Sequence, residues 1–306
     1  MVWEDYRKYC RVFSATLSIE AFVRLIDQRQ RDSKIKLPKA MTDAFADPQS
    51  DAERGIAAMI AAFNRDQATA TEQDIFRQKK RLADAERSLQ TKVTKKAQND
   101  VRIATDKISK GLFKLDDLRR TAPKGRDSRI FPGVYAPVLV VENGQRVVKP
   151  MRYQCRPAGK PAFYDTQYPG TYNARRDNLE GFWKGQFGVS HGIMVAQRFY
   201  ENVERVDEDG KSFNVVLEFN PADGGDMLVA CLWSRWEGEG GPLLSFAAIT
   251  DEPPPEVSAA GHDRCIVPIK PEHVDAWLNP QSRPLAELYA ILDDRHRPYY
   301  EHRLAA

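Results

Sequence analysis

Between Ile75 and Leu115 the chain has no proline and a single glycine, Gly111, which commits this stretch to helix before anything else is weighed. Ile75, Leu82, Leu89, Val93, Ala97, Val101, Ala104, Ile108, Leu112 and Leu115 recur at spacings of three, four and seven. That period lines up one side of an α-helix and no face of a strand. The stripe is narrow, so it predicts a long helix or a helical hairpin over about 51–121, with one apolar seam and a solvated remainder. Charge concentrates there too: residues 72–120 hold fourteen Lys or Arg against eight Asp or Glu, in a chain whose net charge is +3. The rest of the chain is therefore about −3. A solvated, coiled-coil-like arm accounts for this pattern. A partner-binding or self-associating arm is the functional alternative, while the interspersed acids argue against a helix that tracks DNA.

The flanks read differently. Ser18 followed by Ile19, Phe22, Val23 and Ile26 gives an N-cap and an amphipathic helix, and the proline-bearing residues 33–50 read as a linker. After Pro123 the pattern turns to strands: Val138–Val141, an Asn143-Gly144 turn and Arg146–Val148, then candidates at 193–199, 213–219, 227–233 and 243–250. Pro271 opens a short helix, and 286–306 reads as a C-terminal tail. The expected architecture is α+β: one domain with a β-rich core of mixed or antiparallel, barrel-like sheet, built from about 10–35 and 125–285 and interrupted by the helical insertion.

A hydrophobic share of 42% and a charged share of 29% are those of a soluble globular protein. No apolar run approaches the roughly 20 residues that span a bilayer, and the start of the chain lacks the pattern of a secretory signal. A cytoplasmic location without membrane association is expected. Cys10, Cys155, Cys231 and Cys265 form no CxxC pair, which argues against a zinc site and a disulfide framework. Buried structural thiols are the expectation for the last three, and nothing calls for a metal or organic cofactor.

Cys10 has potential helpers far downstream in Tyr172-Asn173-Ala174-Arg175, Phe199-Tyr200-Glu201 and His262-Asp263-Arg264. Together they offer a thiol, an amide, a carboxylate and an imidazole, with cations to hold an anionic substrate. Singly each cluster has a bland reading: turn chemistry for Asn173, a surface carboxylate for Glu201, a solvated loop residue for His262. Their order, with His191-Gly192, Leu228–Trp233, Phe246–Thr250 and Pro271–Leu278 between and after them, resembles the SOS-response-associated peptidase (SRAP) family. Members of that family recognise abasic sites in single-stranded DNA.

The resemblance implies a partner, single-stranded DNA containing abasic sites, and a chemistry. The family's N-terminal cysteine condenses with the ring-opened aldehyde; its α-amine forms a Schiff base, and its thiol closes a thiazolidine. By resemblance Cys10 is the nucleophile, Asn173 positions the amine, and Glu201 and His262 move protons. Arg175 and Arg264 then hold flanking phosphates, and Tyr172 offers a stacking surface. The family usually begins Met-Cys-Gly-Arg-Phe, whereas nine residues precede Cys10 here. A crosslink through Cys10 therefore requires removal of residues 1–9, because an amide nitrogen cannot form the imine; the family's peptidase label implies autoproteolysis. Two alternatives stand beside it: a cysteine peptidase acting on other proteins, and a non-catalytic DNA-damage adaptor that uses the helical arm.

Overall fold

Two stretches of different character in the sequence become two units of structure, Met1–Asp47 with Gly125–Ala306, and Pro48–Lys124. The structure is a computed structural model that describes residues 1–3, 6–239 and 241–305. The chain runs β1 (Val2–Trp3), α1 (Tyr6–Phe13), β2 (Thr16–Leu17), α2 (Ile19–Arg31), α3 (Lys39–Asp43), α4 (Asp51–Thr91) and α5 (Lys95–Arg119). It continues through β3 (Tyr135–Glu142), β4 (Gln145–Tyr153), α6 (Tyr164–Gln167), β5 (Asn173–Arg175), β6 (His191–Val206), β7 (Ser212–Pro221), β8 (Met227–Trp236) and β9 (Leu243–Asp251). Last come α7 (Pro255–Ala259), β10 (Cys265–Ile266), β11 (Pro268–Ile269), α8 (Val274–Leu278), α9 (Leu285–Asp293) and β12 (Tyr300–Leu304).

Of the two shapes the apolar seam allowed, the helical unit takes the hairpin. Ser50 caps α4 by accepting from the Glu53 N–H, and the Glu53 carboxylate reaches back to the Gln49 N–H, a capping-box arrangement. Thr94 caps α5 in the same way, accepting from the Ala97 N–H, so the turn falls at Lys92–Thr94. Val93, counted in the seam by its spacing, is instead 70% exposed in that turn. The helices approach closely where small residues recur at heptad spacing, Ala97 and Ala104 buried and Gly111 next. A Cβ on Gly111 would lie 2.7 Å from Ile75 Cγ1. Arg81–Asp100 and Arg119–Glu72 tie the two helices across the seam.

The other unit is built on sheet. Strand pairing runs β11-β8-β9-β4-β3-β6-β7-β12, and a further β6–β8 pairing closes β8, β9, β4, β3 and β6 into a ring. The ring is not a regular barrel: β3 meets β6 through one residue pair, Leu139↔Ile193, and β4 meets β9 through two. Gly192 permits the first contact, since a Cβ there would sit 2.8 Å from Val138 Cγ1. Both faces of these strands are covered, with Val138, Leu139, Ala230, Cys231, Leu232, Phe246, Ala247 and Ala248 fully buried. That is why β8 and β9 read as continuous apolar runs rather than alternating ones. Asn143 and Gly144, both at positive φ, make the tight turn between β3 and β4.

Three expectations change. Residues 33–50 are not a linker: they hold α3, and Phe45, 1% exposed, packs on Tyr6 and Phe22. The C-terminal tail is part of the sheet, because β12 pairs antiparallel with β7. Ser18 stands at the N-cap of α2 without a side-chain cap bond, its N–H instead donating to Val148 O. Among the described residues no helix is long and apolar enough to cross a membrane.

Candidate active site

β6 divides its pairing, and the candidate site lies at the division. Residues 191–196 pair with β8, and 199–206 pair with β7. β1 pairs across the gap, Val2 opposite Arg198 and Trp3 opposite Ala196. Antiparallel continuation carries Met1 toward Tyr200 and Glu201. Met1 is fixed there by Ile130: its amine donates to Ile130 O at 3.1 Å, and its carbonyl accepts from Ile130 N at 2.8 Å. Burial pushes this amine down from 8.0 to about 5; the Glu201 carboxylate opposes the shift and the Arg129 guanidinium adds to it. Arg129 itself lies over the Tyr200 ring, 3.6 Å from the centroid, with its Nε buried and lacking a hydrogen-bond partner.

Glu201 is paired with His262, Nε2 to Oε2 at 3.1 Å. Gly261, at φ +96°, lets the loop after α7 close on β6, where a Cβ would lie 2.8 Å from Val203 Cγ1. Arg205 also anchors that loop by donating to Ala260 O. The other ring nitrogen, Nδ1, faces Arg264 O at 2.8 Å, with the Arg264 N–H a weaker alternative at 3.4 Å. Acceptors at both nitrogens favour the doubly protonated ring, so hydrogen bonding to Glu201 raises the His262 pKa. Carboxylate, imidazole and a depressed amine thus share one locality.

β5 pairs parallel with β9, setting Asn173 opposite Ala248 and Arg175 opposite Thr250. The Tyr153 hydroxyl donates to Asn173 Oδ1 at 3.4 Å, so what Asn173 can offer a ligand is its NH2 group. Burial, with Glu201 adding to it, raises the Tyr153 pKa well above 10 and keeps that hydroxyl a donor. Tyr172 packs edge-on to Tyr153, which stacks on Phe246. Arg175 and Arg264 line one small cleft with Arg176, Asp177, Asp251 and Asp263. Each is balanced by an acid, Arg175 by Asp177 at 2.9 Å and Arg264 by Asp263 at 3.3 Å. A larger cavity of about 950 Å³ is lined by Arg31, Lys34, Lys36, Arg152 and Trp236 among others. Among the described residues no group of three or more His, Cys, Asp or Glu could hold a metal ion.

Cys10 sits in the middle of α1, on a turn whose Tyr6, Tyr9 and Phe13 are buried. The Tyr9 hydroxyl donates to Pro137 O at 3.1 Å and accepts from Val195 N at 2.6 Å. Scission of the Tyr9–Cys10 bond would break α1 and strip away β1. Cys155, Cys231 and Cys265 are buried, and burial pushes the Cys155 and Cys265 thiols up to about 12.

The model of the SOS response associated peptidase (SRAP) family matches residues 88–304. The chain belongs to the SRAP family. Membership associates it with a peptidase-like function in the DNA-damage response and with DNA. The matched SRAP segment contains Asn173, Arg175, Glu201, His262 and Arg264, and does not reach Cys10. Curated proteins yield no match. Among solved structures, a protein from Bacteroides thetaiotaomicron is similar at 16% identity, covering 56% of this chain and 74% of its own, with TM-score 0.46. One from Bordetella bronchiseptica is similar at 19% identity, covering 58% and 87%, with TM-score 0.45. A phage-related protein from the same organism reaches 20% identity, covering 61% and 85%, with TM-score 0.46.

Three groups of this locality escaped the sequence reading: the Met1 amine, Arg129 and Tyr153. Tyr153 was the accessible one, since it lies at the end of β4, twenty residues before Asn173. The amine had no signal in side-chain pattern at all.

Proposed function

We propose that this SRAP-family chain captures abasic sites in single-stranded DNA as an imine on the Met1 α-amine, which Glu201 influences electrostatically. The observation that carries the reading is that amine, buried, held on Ile130 O and electrostatically coupled to Glu201, which is itself paired with His262. At neutral pH such an amine is almost wholly unprotonated and can attack an aldehyde directly. Glu201 takes and returns protons as the sugar ring opens and the carbinolamine loses water. His262, whose pKa the bond to Glu201 raises, is the acid for the departing oxygen. The Asn173 NH2 group orients the sugar.

Capture as a thiazolidine through Cys10 is the competing route. The helix around Cys10 and the burial of Tyr9 weigh against it, because the required cleavage dismantles local structure. A cysteine peptidase acting on other proteins is disfavoured too, since it needs a base for Cys10 and the His262 ring is committed to Glu201 and Arg264 O. In our reading Arg175 and Arg264 grip phosphates without regard to sequence, with their acidic partners displaced by the DNA.

The test mixes the full chain with an oligonucleotide carrying one abasic site, in cyanoborohydride, and counts the reduced conjugate. We expect conjugate with the abasic strand and none with the intact strand, falling about 100-fold or more in Glu201→Gln. No conjugate with the abasic strand would overturn the proposal.

A further inference from the structure

We propose that the cavity of about 950 Å³, between the end of α2, the start of β3, the end of β8 and the start of β9, binds a small phosphate-bearing ligand the size of a mononucleotide. The inference stands apart from the imine reading. None of the residues lining the cavity belongs to the Met1, Glu201, His262 and Asn173 locality, or to the cleft of Arg175 and Arg264.

Sheet alternation builds the site and sets it apart. β3 and β4 pair antiparallel with Tyr135 directly opposite Arg152, so the two side chains share one face, and both line the cavity. Tyr153 follows in β4 and points to the other face, where it meets Asn173. Lys36 is held beside the first pair: it bridges to Val134, and its carbonyl accepts from the Tyr135 N–H at 3.3 Å.

The wall behind Arg152 carries one cation more than it can pair. Arg152 and Arg156 both donate to the single carboxylate of Asp165, Arg152 Nη1 at 2.7 Å and Arg156 Nε at 3.0 Å. All three side chains are less than a fifth exposed, so one positive charge lies largely out of water without an acid of its own. Arg152 also donates from Nε and Nη2 to Gln154 O, which leaves two of its five N–H groups for a ligand. Lys34 and Lys36 line the cavity, and neither makes an ion pair among the described residues. Asp32 and Glu239 are the lining acids, while Arg31 is matched by Asp27. Lysines and acids therefore balance, and the arginine surplus is what an incoming anion would neutralise.

Tyr135 supplies an independent observation. It is 6% exposed, yet its hydroxyl has no hydrogen-bond partner among the described residues. Buried hydroxyls are ordinarily satisfied. Burial raises its pKa and the Arg152 and Arg156 guanidiniums oppose the rise, so the group is a donor within electrostatic reach of both. A phosphate oxygen placed there accepts from the hydroxyl and from Arg152 together. The space is far larger than a bare phosphate needs and falls in the range of small-molecule sites. Trp236 lines it as well and offers aromatic surface to a base, its ring held by the Arg156 guanidinium 4.4 Å from the centroid.

The test is equilibrium dialysis of the full chain against labelled deoxyadenosine monophosphate. Deoxyadenosine, inorganic phosphate or a short intact single strand serves as competitor. We expect the nucleotide to bind, deoxyadenosine not to compete, inorganic phosphate to compete weakly, and affinity to fall about tenfold in Tyr135→Phe and in Lys36→Gln. Tyr135→Phe separates a ligand role from a structural one. Because the hydroxyl bonds nothing in the fold, the variant should unfold at a urea concentration no lower than wild type while binding the nucleotide more weakly. Absence of nucleotide binding, unchanged affinity in both variants, or inorganic phosphate competing as well as the nucleotide itself overturns the proposal. So does a single strand that binds through Tyr135 and Lys36 more tightly than the nucleotide, since the cavity is then part of the strand's path.

Discussion

His191 offers a quantitative test of how the ring of strands is closed. It begins β6 at the β8 pairing, 2% exposed, with its ring 4.0 Å from the Trp277 ring centroid and stacked on Phe187. Nδ1 donates to Trp277 O at 3.1 Å, and Nε2 accepts from Gly188 N at 2.9 Å, so the neutral ring satisfies both neighbours and a charged one satisfies only the first. Burial pushes its pKa from 6.5 to about 3. Between those values the unfolded chain binds a proton that the folded chain does not, so stability present above pH 6.5 is lost as pH falls toward 3. One pH unit in that window is worth about 1.4 kcal/mol, so moving from pH 7 to pH 5 removes about 2 kcal/mol through this residue alone. Urea denaturation followed by tryptophan fluorescence, with Trp277 fully buried beside the site, measures the loss. The Met1 amine, also depressed, adds to the wild-type slope below pH 8, so the comparison is with His191→Gln, which keeps a donor and an acceptor but cannot titrate. The variant is expected to be less stable at pH 7 and to lose about 2 kcal/mol less than wild type on going to pH 5. Equal pH slopes in the two proteins would refute the buried neutral histidine.

Gly111→Val forces a branched side chain into the space held by Ile75, with an expected cost of about 1–3 kcal/mol. Amide hydrogen exchange should show faster exchange in α4 and α5 of the full chain, and unchanged protection would contradict the close approach of the helices. Arg175→Glu and Arg264→Glu should each weaken binding to single strands of any sequence and reduce the salt slope by about one, measured by fluorescence anisotropy across salt concentrations. Unchanged affinity would remove the shared cleft from the DNA path.

The parts of this molecule that the sequence disclosed are those where one physical term dominates. An uninterrupted apolar period makes helix whatever surrounds it, and Asn143-Gly144 between apolar runs makes a hairpin because positive φ is needed twice. The hairpin's own turn was harder. Lys92-Val93-Thr94 breaks no propensity rule, and only the Thr94 cap marks it. Leu112 fitted the spacing but is 52% exposed, since the contact passes through small residues at 97, 104 and 111 instead. Residues 6–13 carry a legible apolar face in Tyr6, Tyr9 and Phe13, on the helix that also holds Cys10.

For the site, the clusters around Asn173, Glu201 and His262 were legible as candidates from their residue types and their order. Contact between Glu201 and His262 was not, because it depends on Gly261 permitting a loop to close on a strand sixty residues earlier in the chain. The amine was invisible for a deeper reason. Its placement follows from β1 pairing into the notch where β6 changes partners, a tertiary fact with no local pattern.

The account turns on which nitrogen meets the aldehyde. Tandem mass spectrometry of the borohydride-reduced conjugate, digested after reaction with an abasic single strand, locates that bond. The account predicts the sugar remnant on the α-nitrogen of Met1, the residue just before β1, and not on any cysteine. A remnant on Cys10, with residues 1–9 absent from the protein, would contradict it.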